Sequence, residues 1–277
     1  MNHKTTQNII LKMMFILAFF TGIISVKAQG ISMSPTRLFF SGNPGETLTE
    51  NVIFTNGSAN SITFNTRIND WYRDSIGEKL YMDPNTLSKS NSSWISIPEE
   101  LFTVDAGSTL TIPVTMHIPE NIPVSDVTNS MLFFTQIGRQ DDNYQSGMGI
   151  GLQVLFEFGL HVYNTPPTNQ TQDLEFTAVD DLGIINKGDN PYRRVGIKIK
   201  NVGNTISDSS VELELTNKNS GEEIKLTPVN ISMLPEAEQL VYFDIPAETK
   251  GSYAGVSFIK MGGTTDIRVA EKDFEFN

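Results

Sequence analysis

The chain has 277 residues, 20 basic and 32 acidic, a net charge of −12 and no cysteine. An acidic balance with scattered carboxylates disfavours nucleic acid and anionic membranes as partners. The absence of cysteine excludes disulfides, thiolate chemistry and a lipidated cysteine anchor.

The first 28 residues read as a secretion signal. Lys4 and Lys12 accompany the apolar run "MMFILAFFTGII" (13–24), which is too short to hold a bilayer as an anchor. "VKA" (26–28) offers small residues for cleavage before Gln29. Loss of Lys4, Lys12 and Lys27 leaves 17 basic against 32 acidic residues, net −15. The expected location is the periplasm, with the cell surface as the alternative and no transmembrane anchor after cleavage. A mature length of about 250 residues suits two domains.

Almost nothing reads as helix. Short alternating runs follow one another: "ISMSPTRLFF" (31–40), "TLTENVIFTN" (47–56), "SITFNTRIND" (61–70), "WISI" (94–97), "TLTIPVTMHI" (109–118) and "SMLFFTQI" (130–137). Turn signals separate them at "GNPGE" (42–46), "NGSAN" (56–60) and "DAGS" (105–108). Strands spaced in this way predict an antiparallel sandwich. The polar stretch 73–93 reads as a loop or irregular edge.

Residues 149–164, "GIGLQVLFEFGLHVYN", form the longest alternating run: Ile150, Leu152, Val154, Phe156, Phe158, Leu160 and Val162 share one face. After it, "YNTPPTNQTQD" (163–173) has two prolines and no apolar period, the mark of a linker. Alternation restarts at "RRVGIKIKN" (193–201) and recurs at 210–217, 222–234, 240–245, 251–260 and 266–276. The fold class read from this pattern is all-β, with two immunoglobulin-like β-sandwich domains in tandem. The expected boundaries are 1–28 signal, 29–165 first domain, 166–172 linker and 173–277 second domain.

Chemistry is sparse. After the signal only His117 and His161 remain, both in strand-like runs, and there is no G-x-S-x-G, H-E-x-x-H or glycine-rich phosphate loop. The reading is a binding protein, not an enzyme, with no cofactor, no metal and no small-molecule substrate. Arg37 in "SPTRLFF" (34–40) stands out as an arginine inside an apolar strand. Its rigid fork of donors suits a carboxylate, although an edge arginine with a packed stem and a wet head is equally natural.

These residues resemble the periplasmic pilus chaperones, the PapD-like family. "TRLFFSG" (36–42) is similar to the end of that family's first strand, and "LFTVDAGSTLTIPV" (101–114) and "SDVTNSMLFF" (125–134) follow in the family's order. A polar loop, "GRQDDNYQSGM" (138–148), and a long alternating strand ending near Pro166 complete the likeness over residues 31–166. The family's strand lysine, which joins the arginine in holding a subunit's terminal carboxylate, falls on His161 or on Leu160, depending on the alignment. The second half is similar only to bacterial immunoglobulin-like modules in general.

The resemblance implies a chaperone for secreted or surface subunits of pilus type. It would act by donating the 149–162 strand to a client that lacks one. Arg37, Ile150, Leu152, Val154, Phe156, Phe158 and His161 are the implied partner-binding residues. Burying Leu152, Val154, Phe156 and Phe158 gives about 6–12 kcal/mol gross at roughly 1.5–3 kcal/mol each. That is comparable with an association cost of about 4–15 kcal/mol, so strand hydrogen bonds or an anchor must add to it. The alternative is a non-catalytic envelope or surface adaptor built of two immunoglobulin-like modules.

Overall fold

The structure, a computed structural model, describes residues 30–123, 125–138, 155–263 and 265–277. Its strands form two β-sandwiches. The first contains β1 (Ile31–Ser34), β2 (Arg37–Phe40), β3 (Thr47–Asn56), β4 (Ile62–Arg73), β5 (Lys79–Met82), β6 (Ile95–Ser96), β7 (Leu101–Val104), β8 (Thr109–His117), β9 (Thr128–Gln136) and β10 (Glu157–Asn164). The second contains β11 (Leu174–Lys187), β12 (Asn190–Asn201), β13 (Ser207–Asn217), β14 (Glu223–Lys225), β15 (Val229–Met233), β16 (Glu238–Pro246), β17 (Gly251–Met261) and β18 (Ile267–Phe276).

In the first sandwich the sheet β1-β3-β8-β6 faces the sheet β2-β10-β9-β4-β5, with β7 also paired to β4. Alternate side chains from both sheets meet in one core: Phe54, Phe64, Val114, Phe134, Leu160 and Val162 are all fully buried. The second sandwich sets β11-β12-β16 against β14-β13-β17-β18, with β15 on β13, around Ile197, Ile199, Leu213 and Ile259. No helix among the described residues is long and apolar enough to cross a membrane.

The run 31–40 is two strands, not one. Ile31 and Met33 are buried on one phase, and Leu38 and Phe40 on the other. The chain changes phase at Pro35 and with it changes sheet. β1 pairs antiparallel with β3, whereas β2 lies parallel to β10, Arg37 opposite His161 and Phe40 opposite Asn164.

The turn signals act as their chemistry requires. Gly45 and Gly107 take φ of +85° and +66°, a region that favours glycine. The buried Asn56 closes the turn after β3. Its Nδ2 donates to the carbonyls of Asn60 (2.8 Å), Val104 (3.0 Å) and Asp105 (3.2 Å), and its Oδ1 accepts from the Ser58 amide and hydroxyl. Gly57 N donates to Gly30 O at 2.8 Å. Asn201 repeats the device after β12, donating to Thr205 O and Met233 O and accepting from Gly203 N.

Two segments differ from the sequence reading. Residues 174–187, absent from the predicted runs, form the long edge strand β11. Register shifts between Phe176 and Ala178 and between Asp181 and Ile184 break its alternation, so the pattern hides it. The polar stretch 73–93 holds the β4–β5 hairpin and a short 3₁₀ turn, Ser92–Trp94. Asp70, fully buried, organises that stretch. Its carboxylate accepts from the amides of Thr86 and Leu87, each at 2.8 Å, from Asn85 at 3.3 Å, and from Ser90 Oγ.

Candidate functional site

The site lies where the outer face of β4, β9 and β10 meets the second sandwich. β9 is buried from Thr128 through Phe134 because both its faces are covered. Leu132 and Phe134 enter the main core, whereas Met131 and Phe133 join Trp71, Val127, Tyr163 and Ile206 in a separate cluster, with Leu234 packed on it. Ile206 and Leu234 come from the second sandwich, so this cluster is the apolar seal between the two. The tip of the β4–β5 hairpin crosses the same junction: Leu240 N donates to Ser75 O at 2.7 Å, and Lys89 Nζ meets Glu236 at 2.6 Å. A cavity of about 330 Å³ lies here, lined by Trp71, Arg73 and Tyr163 from one side and Ile206, Leu234 and Gln239 from the other.

Rings form the floor of the site. Tyr163 stacks on Phe39 (5.3 Å) and on His161 (6.0 Å), and Trp71 meets His161 edge-on at 4.8 Å. Cations surround them. Arg37 Nη1 donates to both carboxylate oxygens of Asp208 in β13, at 2.9 and 2.7 Å. Arg73 lies 5.7 Å from the Trp71 ring and donates to Gly77 O, and Lys79 stands opposite Arg73 in the hairpin. Neither Arg73 nor Lys79 is ion-paired with a carboxylate among the described residues.

The electrostatics follow from burial and this charge. Burial, and then Lys79, Arg37 and Arg73, push the His161 imidazole down to about 3, so it is neutral at ordinary pH. Burial pushes the Tyr163 phenol up to about 12. Burial lowers the Lys79 ammonium, and the neighbouring Arg73 and Arg37 add to that. The hydrogen bonds to Asp208 raise Arg37 above its usual value. His161 Nε2 and Arg73 Nε are buried and bond to no protein atom.

Of the residues singled out from the sequence, Arg37 and His161 are adjacent across the β2–β10 pair. Phe158 lies half-buried on β10, its ring 5.9 Å from both Phe54 and Phe64. Phe156 precedes β10 and is 41% exposed. Ile150, Leu152 and Val154 lie outside the described residues. Leu160, one of the two positions for a strand lysine, is fully buried in the core, and His161, the other, is neutral. Arg73, Lys79, Trp71 and Asp208 were not singled out. The hairpin that brings Arg73 and Lys79 together had a signal in "DSIGE" (74–78), where Asp74 Oδ1 accepts from the amides of Ile76 and Glu78.

The open edge of β10 completes the geometry. β10 pairs with β9 along its whole length, but with β2 only from His161 onward. On the β2 side, His161 N donates to Thr36 O and Thr165 N to Phe40 O. Odd-numbered residues therefore present their backbone groups to that side, and those of Glu157 and Gly159 meet no strand there among the described residues.

No family model matches the chain, and no curated protein does. Solved structures similar to it include fimbrial chaperones. The Class 5 fimbriae chaperone CfaA is 16% identical with a TM-score of 0.49, over 88% of this chain and 99% of that one. The Escherichia coli chaperone DraB is 13% identical with a TM-score of 0.48, over 88% and 98%. A structure of the Salmonella enterica SafA pilin in complex with the SafB chaperone is matched at 12% identity and a TM-score of 0.49, over 89% and 98%.

Proposed function

We propose that this protein is a periplasmic chaperone for secreted or surface subunits of pilus type. It captures a client strand along β10 and receives a client carboxylate at Arg37. The observation that carries the reading is the half-open edge of β10. Glu157 and Gly159 offer outward backbone donors and acceptors in line with a parallel partner, β2, that stops short of them. The exposed Phe156 sits at the head of the same edge. A strand added there gains main-chain hydrogen bonds and places alternate side chains beside an apolar rim. The role is binding, not catalysis, and Ile150, Leu152, Val154 and Phe156 are assigned to the donor segment, whereas Phe158, expected among the partner-binding residues, packs against the protein's own core.

The test is amide hydrogen exchange with and without a peptide of alternating aliphatic residues. Protection of the Glu157 and Gly159 amides on peptide binding supports strand addition. Binding that protects another edge, or none, rejects it. An adaptor role is favoured by the sealed junction of Trp71, Tyr163, Ile206 and Leu234, which fixes one sandwich against the other. An adaptor shows no such protection.

A further inference from the structure

We propose that Asp208 is an internal stand-in for the client carboxylate. The incoming carboxylate displaces it from Arg37 and is then held from the other flank by Arg73 and Lys79. This inference rests on the reading of Arg37 as an anion anchor and says how that anchor is regulated.

Three observations support it. First, Arg37 already grips a carboxylate, in a two-oxygen hydrogen-bonded contact that an external carboxylate would copy. The pair is open to water, Arg37 being 36% and Asp208 52% exposed, and exposed ion pairs are weak enough to exchange. Second, Asp208 is held for release. Among the described residues its side chain bonds to Arg37 alone, while its main chain is fixed by the Asp208–Ser232 register and by Gly262 N donating to its carbonyl at 2.7 Å. The carboxylate can swing away without moving β13. Third, positive charge around the rings exceeds what Asp208 balances. The charges that act on the His161 ring are Arg37, Arg73 and Lys79 against the one acid Asp208. Of the acids that line the adjoining cavity, Glu236 is paired with Lys89 and Glu238 with Lys198, while Asp74 bonds within its own turn. Lys79 is partly desolvated beside two guanidinium groups, so a second negative charge placed between them is stabilised.

The arrangement makes the site self-screened. Without a client, Asp208 occupies Arg37 and keeps stray anions off it. A weak or badly placed carboxylate does not compete, whereas one delivered by a strand already paired to β10 does, because its effective concentration is high.

The experiment uses the full protein and one alternating-aliphatic peptide in two forms, with a free C-terminal carboxylate and with a C-terminal amide. Affinities are measured by fluorescence anisotropy for the wild type, Asp208→Asn, Asp208→Asn with Lys79→Gln, and Arg37→Ala. Asp208→Asn is expected to tighten the carboxylate form by about two- to fivefold and leave the amide form unchanged. Adding Lys79→Gln removes part of that gain, and Arg37→Ala removes the preference for the carboxylate. If the wild type prefers the carboxylate through Arg37 but Asp208→Asn leaves that affinity unchanged or weaker, exchange is overturned and the anchor stands. If both peptides bind alike to the wild type and to Asp208→Asn, the anchor itself is wrong, and this inference falls with it. If neither peptide binds either protein, strand capture fails as well.

Discussion

His161 and Trp71 meet edge to face, 4.8 Å between ring centroids, with Trp71 almost wholly buried and its Nε1 donating to Ser130 O. The contact holds the imidazole away from water and beside cations, and its protonation in the folded state is delayed to a pH of about 3. In the unfolded chain the same group takes its proton near 6.5. Between those values the unfolded state binds more protons, so the contribution of His161 to stability is complete above pH 6.5 and is lost as pH falls toward 3. Urea titrations at pH 7 and pH 4 should show the wild type losing about 1–3 kcal/mol more than His161→Gln over that interval. Equal losses would show that His161 titrates normally in the fold.

The two apolar residues Phe156 and Leu160 belong to one alternating run but meet different surroundings. Leu160 has no exposed surface, and Phe156 is 41% exposed. Leu160→Ala should destabilise the free protein by about 2–5 kcal/mol through lost burial and a cavity. Phe156→Ser should shift the urea midpoint little, while weakening capture of the strand peptide. A large stability loss from Phe156→Ser would place that ring in the protein's own core and argue against donation.

Asp70→Ala removes the acceptor of three backbone amides, those of Asn85, Thr86 and Leu87. Asn85 N keeps Ser92 Oγ as an acceptor at 3.0 Å, so the part-buried amides of Thr86 and Leu87 carry the loss, and thermal unfolding should show about 1–3 kcal/mol less stability. Because residues 83–92 lead to Lys89 at the junction, hydrogen exchange should also rise there. A variant as stable as the wild type would mean that water replaces the carboxylate without penalty.

Gly77 has φ of +87°, and a Cβ placed on it would come within 2.2 Å of the Gln239 side-chain amide in the second sandwich. Gly77→Ala should cost about 1–2 kcal/mol for the left-handed backbone and push Gln239 aside. The accompanying change is faster exchange at the Leu240 amide, which bonds to Ser75. Unchanged exchange at Leu240 would show that the hairpin tip is not what holds the junction.

The parts of this molecule legible in its sequence include the strands whose apolar period is unbroken. Phe158, Leu160 and Val162 keep strict period two, and all three pack into or against the core. Even the sheet switch at Pro35 left a trace, because buried odd positions before it give way to buried even positions after it. β11 was invisible since its bulges reset the phase twice within fourteen residues. The site was half legible. Arg37 declared itself by being charged in an apolar strand, whereas Asp208 lies 171 residues away and looks like any surface acid. Pairing at that separation is set by how the sandwiches dock, which no local pattern encodes.

Asn56 precedes Gly57, the neighbour that most favours conversion of an asparagine side chain through a cyclic imide. That reaction needs the Gly57 nitrogen to attack the Asn56 carboxamide. Here the nitrogen is engaged by Gly30 O, and the carboxamide is buried and bonded at both its atoms. The intact fold thus shields its most age-prone peptide link, and slow conversion of Asn56 to aspartate or isoaspartate becomes a chemical record of how often the first sandwich opens.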